Sequence, residues 1–178
     1  MKNKKGFTLI EILISAAIMS ILVVLIMSVF ITSLKNFKTL KNKSELQFQT
    51  QYIINFVSDK VMKSKNVALI KSDTSSVINS EKEFNISKIS LKYGNEINNY
   101  YIFEVHSNKI YYGNSCWDDS ADVELGVYVS ELKAAPYPAG RTFADTHALK
   151  FTLCLEKEGH IYETEQLVYM RNNIKMVK

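Results

Sequence analysis

The sequence predicts an α+β protein: a long N-terminal α-helix, transmembrane and then amphipathic, packed on a head built from an antiparallel β-sheet. Residues 7–31, FTLIEILISAAIMSILVVLIMSVFI, carry a single charge. After residue 31 the apolar residues recur at three- and four-residue steps, and from residue 84 short β-branched and aromatic runs alternate with turn signals. The whole chain has 178 residues, enough for one ordinary domain beyond the helix. Lys and Arg number 22 against 18 Asp and Glu, and Lys2, Lys4 and Lys5 account for most of the +4 balance. Only Arg141 and Arg171 are arginines, so the planar forks that grip phosphates and base edges are scarce and nucleic acid is not an expected partner. With 6 Gly, 2 Pro, 10 Tyr and 9 Phe the chain is neither disordered nor collagen-like.

As a helix, residues 7–31 span about 37 Å. That crosses a hydrocarbon core of roughly 30 Å with some tilt. A secretory signal peptide shares the basic lead-in, but its apolar core is shorter and ends at a small-x-small cleavage site, which is missing here. Lys35, Lys38, Lys41 and Lys43 flank the far end as heavily as the leader flanks the near one, so charge alone does not orient the span. The one charge inside is Glu11. An ionised carboxylate in a membrane-spanning helix costs roughly 2.5–3.5 kcal/mol on insertion scales, so it demands a partner, and the apolar run offers none. Two readings stand. Glu11 either snorkels to the headgroups or is answered by a cation on another molecule, and a cut after Gly6 would create such a cation at the amine of Phe7.

At residues 4–25, KKGFTLIEILISAAIMSILVVL, the sequence resembles the type IV pilin and type II secretion pseudopilin family. The match comprises a short basic leader ending in Gly6, then Phe7, Thr8, Leu9, Ile10 and Glu11, then an unbroken apolar stretch. The resemblance implies that a prepilin peptidase removes residues 1–6, cutting between Gly6 and Phe7 on the cytoplasmic side, and methylates the amine of Phe7. It implies that Glu11 forms an inter-subunit salt bridge with the Phe7 amine of a neighbour when the subunit enters a filament. The implied partners are the peptidase, other pilins or pseudopilins packed through the helix, an inner-membrane assembly platform, and membrane lipid before assembly; no cofactor is implied. In one respect the sequence departs from the family's major pilins, many of which carry a Pro or Gly deep in this helix. Here nothing from Phe7 to Lys65 is either, which is closer to a minor subunit.

The expected layout is a leader at 1–6, a transmembrane and assembly helix at 7–31, an amphipathic outer half at 32–65, and a β-sheet head of the pilin fold at 66–178. In the outer half Leu34, Phe37, Leu40, Phe48, Tyr52 and Phe56, with Ile53 and Val57 beside them, form a stripe for the head to bury. The helix is expected to reach Lys65, with a linking loop at 66–83. Strands are expected at Phe84–Tyr93, Tyr100–His106, Lys109–Tyr112, Val123–Leu132, His147–Glu156 and His160–Arg171. Ser107-Asn108 and Lys157-Glu158-Gly159 are expected to turn the hairpins. In the fifth strand Leu149, Phe151, Leu153 and Leu155 mark the core face. Tyr100–Tyr112, YYIFEVHSNKIYY, and the final hairpin ending VYMRN at 168–172 look like the filament-initiating minor subunits of the W or J type.

Candidate chemistry in the head is sparse. Cys116 and Cys154 are candidates for a disulfide if the head lies outside the cytoplasm, with two free thiols as the alternative. Closing that loop of about 38 residues would contribute on the order of 4 kcal/mol. Asp118, Asp119, Asp122 and Glu124 are a weak calcium candidate, because the Gly and ligand spacing of a known calcium loop is missing. His106, His147 and His160 suggest no triad, and there is no phosphate-cradling loop or HExxH helix, so an enzyme is not expected. Tyr100, Tyr101, Tyr111 and Tyr112 suit cross-strand packing better than a ligand platform. The expectation is a minor type IV pilin or pseudopilin. It would be a single-pass protein of the cytoplasmic membrane with its head outside the cytoplasm, displayed at the cell surface after assembly into, or priming of, a filament. The alternatives are a filament-tip adhesin or ligand- or DNA-binding subunit, and a single-pass anchored domain unrelated to pili.

Overall fold

The computed structural model describes residues 8–73 and 75–172. Residues 1–6 and Phe7, and with them the expected cleavage and methylation positions, lie outside the described residues. Helix α1 runs Leu9–Lys63, within two residues of the expected end. The chain forms two compact units, Met1–Lys41 and Asn42–Lys178.

In the first unit the helical side chains have nothing to pack on: Leu13, Ile18, Leu22, Val24 and Ile26 are 47–68 % exposed. Four of its hydroxyls turn back on the helix: Ser15, Ser20, Ser28 and Thr32 donate to the carbonyls of Glu11, Ala17, Leu25 and Ser28 at 2.7–3.0 Å, which gives these hydrogens partners in an apolar surrounding.

In the second unit the helix buries Asn42, Leu46, Thr50, Ile53, Ile54, Val57 and Val61. Ile53 and Val57 are buried and Phe56 packs on the core as expected, but the rest of the expected stripe is corrected. Leu34, Phe37, Leu40, Phe48 and Tyr52 are all more than half exposed. The buried face is set by the four-residue steps from Leu46, and Phe48 sits about 200° round the helix from it. Aromatic size misleads here; the small Asn42 and Thr50 lie inside the seam, and Thr50 Oγ1 satisfies itself on the Leu46 carbonyl at 2.8 Å.

The head carries two antiparallel sheets rather than one. Its strands are β1 Asn66–Ser72, β2 Ser75–Ser76, β3 Phe84–Asn85, β4 Lys88–Lys92, β5 Tyr100–His106, β6 Lys109–Ser115, β7 Val123–Val127, β8 Val129–Tyr137, β9 Ala148–Lys157 and β10 His160–Tyr169. The six-stranded sheet has the order β2-β1-β4-β5-β6-β7 and the four-stranded sheet β10-β9-β8-β3. Two expected strands are split where the chain passes from one sheet to the other. At Ile86 and Ser87 the amides donate to Leu132 in the small sheet and then to Lys71 in the large one. At Tyr128 a φ of 66° breaks the run between β7 and β8. Strand β1 falls in the expected loop, because its Val67, Leu69 and Ile70 are hidden among Ser, Asn and Lys. Both hairpins form as expected, with positive φ at Ser107 and Asn108 and at Glu158 and Gly159, the geometry that matches strand twist.

Both sheets share one core with the helix: Ile89, Leu91, Phe103 and Ile110 from the large sheet, Leu149, Phe151, Leu153 and Leu155 from the small one. Gly126 lets β7 approach the helix, since a Cβ there would stand 2.5 Å from Ile53 Cδ1. The last helical carbonyls are capped from the end of β10: Arg171 N donates to Met62 O at 3.0 Å and Asn172 Nδ2 to Lys63 O at 2.9 Å.

Candidate functional site

At the start of α1 the residues Thr8 and Glu11 form a capping box. Glu11 Oε2 accepts from Thr8 N at 2.8 Å and from Thr8 Oγ1 at 2.9 Å, while Glu11 N returns a bond to Thr8 Oγ1 at 3.4 Å. The chain therefore does offer Glu11 a partner inside the apolar run. The T-x-x-E spacing was the signal for it in the sequence. Among the described residues both bonds fall on Oε2 and Oε1 accepts none. The carboxylate also sits at the helix end where the backbone dipole favours negative charge. Around it the helix is long and apolar enough to cross a membrane, with none of its most apolar window buried.

The head's candidates are placed apart. Cys116 follows β6 of the large sheet and Cys154 lies on β9 of the small one; both are half-buried free thiols, so the expected disulfide is not formed. The four carboxylates of the acidic loop do not gather. Asp118 pairs with Lys71 at 3.6 Å, Asp119 accepts from Cys116 N at 3.1 Å, and Glu124 pairs with Lys109 at 2.6 Å. Among the described residues no three His, Cys, Asp or Glu side chains converge on a metal position.

What the loop does hold is an unforeseen cross-strand pair. Lys88 on β4 stands opposite Glu104 on β5, 2.9 Å apart with little exposure. The Lys88 ammonium also donates to the carbonyls of Asp118 and Asp119, and Glu104 Oε2 accepts from Ala121 N. The backbone of the loop, not its acids, is what the sheet grips. The histidines stand apart: His106, exposed at the end of β5, stacks on Tyr111 at 4.3 Å, half-buried His147 just before β9 lies 6.2 Å from Tyr169, and half-buried His160 opens β10.

The four tyrosines divide by strand alternation. Tyr101 and Tyr112 face the helix with Phe56 and Phe103, and the Lys60 ammonium lies 5.1 Å from the Phe56 and Tyr101 ring centroids and 5.5 Å from that of Tyr112. Tyr100 and Tyr111 take the other face, beside Lys92 and His106.

Burial raises the Tyr101 and Tyr112 hydroxyls above their ordinary 10.0, with the neighbouring tyrosines adding to it. Hydrogen bonds to Asp59, Glu124 and Glu45 raise Lys63, Lys109 and Lys157 above 10.5. Both kinds of shift act in one direction. A folded-state value above the unfolded one contributes stability that is complete below the unfolded value and is lost as pH climbs through the folded one. Urea midpoints of the head should therefore be level from pH 8 to about 9.5 and fall steadily above pH 10. A midpoint that rises between pH 10 and 11 would contradict this.

Residues 1–32 match the family model described as the prokaryotic N-terminal methylation motif. No curated protein and no solved structure matches the chain. A methylation motif opening on an exposed apolar helix, with antiparallel sheets packed on the same helix further along, defines a class of membrane-anchored, prepilin-peptidase-processed proteins. The motif, together with the long apolar helix, supports a type IV pilin-like protein.

Proposed function

We propose that the chain is a minor pilin or pseudopilin whose work is assembly rather than turnover. Held in the membrane by α1, it is cut between Gly6 and Phe7, methylated on Phe7, and incorporated into, or used to prime, a filament through its apolar helix. The observation that carries this reading is the methylation motif over residues 1–32, seated on a helix whose apolar side chains in the first unit are all exposed. Exposed area of that kind is stable in lipid, or against the same area of sister subunits. Glu11 sets axial register, because a carboxylate drawn into an apolar bundle is costly unless a cation meets it, and the new amine of Phe7 on a neighbour is that cation.

Intact-mass measurement of the protein isolated from its own cells tests the processing, with an N-methylated Phe7 expected at the mature terminus. A native polypeptide that still begins at Met1 removes the donor and overturns the reading. For register, Glu11→Ala should leave cleavage unchanged and lower incorporation by on the order of tenfold or more. Incorporation at the wild-type level would show that the carboxylate does not set the register.

A further inference from the structure

Past the apolar run, Lys35, Lys38 and Lys41 recur at every third residue, and no carboxylate stands between Glu11 and Glu45. Lys35 and Lys41 are exposed. Glu45, four residues after Lys41 and so placed to neutralise it, is engaged instead by Lys157 at 2.8 Å. Leu34 before them and Phe37 and Leu40 between them are 53–68 % exposed, because the head does not cover this stretch of the helix. A segment at once basic and apolar suits neither bulk water nor hydrocarbon. It suits the interface between them.

The spacing places it there. From Glu11 to Lys35 the helix rises about 36 Å, more than a hydrocarbon core of roughly 30 Å and less than the roughly 40–45 Å that includes both headgroup layers. With Glu11 in one headgroup layer, Lys35 stands in the opposite one. Lys41 is about 9 Å further out. Side chains on a helix lean toward its N-terminus, which here is toward the bilayer, and the four-carbon stem of Lys41 covers most of that return. The positive-inside rule gives no reason for lysines on this flank as well as in the leader.

We propose that Lys35 and Lys41, either side of Lys38, form a site for the phosphate of anionic lipid headgroups in the leaflet facing the head, seating the subunit at a fixed depth before assembly. Zwitterionic lipids present the same phosphate beside their own ammonium, so net charge makes the choice. The site rests on the proposed function only in taking the helix to cross the bilayer with its leader on the cytoplasmic side.

The test uses the full chain with Lys2, Lys4 and Lys5 changed to Gln, so that leader charges do not contribute, in phosphatidylcholine nanodiscs. These carry a trace of spin-labelled phosphatidylglycerol or spin-labelled phosphatidylcholine. The motionally restricted fraction of each label gives the lipid preference at the protein surface. A preference for phosphatidylglycerol of roughly fivefold is expected at low salt. It should fall below about twofold in Lys35→Gln/Lys41→Gln, persist in Lys35→Arg/Lys41→Arg, and be unaffected by Lys82→Gln in the head. An unchanged preference in the Gln pair overturns the site. So does its abolition by inorganic phosphate at constant ionic strength, which would identify a free-phosphate site instead. Because no peptidase takes part, a preference lost in the Gln pair stands even if the native protein is found to begin at Met1, so the two readings fail separately.

Discussion

Glu104→Leu alone should cost the head roughly 3 kcal/mol, because it leaves the Lys88 ammonium enclosed without a counter-charge. Lys88 and Glu104 are only 10 % and 17 % exposed and meet at 2.9 Å. Lys88 would keep its bonds to Asp118 O and Asp119 O, at 3.1 and 2.7 Å, but two neutral carbonyls do not replace a carboxylate. Lys88→Met/Glu104→Leu together should recover most of the loss, since a matched apolar pair does without both charges and their desolvation. The readout is internal to the molecule. Trp117 is the sole tryptophan, 43 % exposed, and its carbonyl is held by Ser90 Oγ at 2.7 Å within the loop that the ion pair secures. Urea unfolding of the full chain in detergent, followed by Trp117 emission, should show an early red shift in the single variant before the main transition. Equal destabilisation by the single and double changes would mean that charge pairing is not what matters at this position.

Phe103→Ala should cost about 4 kcal/mol, the range for deleting a fully buried aromatic. Phe103 is 1 % exposed and meets Phe56 of the helix edge-on at 6.3 Å and Tyr112 at 5.5 Å. It packs beside Phe56 and Tyr112 of the aromatic cluster around the Lys60 ammonium, so its loss opens a cavity at a joint between helix and sheet. Phe103→Leu keeps much of the volume and should cost less than about 1.5 kcal/mol. Circular dichroism melts of the two variants decide it; similar midpoints would show that the site collapses around whatever occupies it.

The anchor was legible in the sequence because it depends on one-dimensional properties, the length of an apolar run and the position of one charge within it. The hairpins at Ser107-Asn108 and Glu158-Gly159 were legible for a like reason, since their turns are written in two residues. The division into two sheets was not. It turns on a left-handed backbone at Tyr128, a residue type that rarely marks such a break, and on amides at Ile86 and Ser87 that change partners in mid-run. Strand β1 escaped because polar neighbours diluted its alternation. On the outer helix Ile53, Val57 and Phe56 of the expected stripe do meet the core, but Leu34, Phe37, Leu40, Phe48 and Tyr52 do not, because large aromatics outweigh Leu46, Ile54 and Val61 in any simple count, whereas geometry weighs only which side meets the sheets. The Lys88–Glu104 pair exists only once the β4–β5 register is known, so it left no trace in spacing. At Glu11 the reverse holds: the T-x-x-E spacing with Thr8 writes the capping contact directly into the sequence.

The clamp at the end of α1 has a bearing on how the molecule is made. Met62 and Lys63 leave the ribosome in the first half of synthesis, yet the groups that close over their carbonyls belong to residues 171 and 172, and Asn172 lies 109 positions beyond Lys63. A contact of such sequence separation forms late. The apolar segment is thus synthesised well before the residues that complete the β structure, and the outer end of the helix waits for the last strand before its carbonyls are closed over.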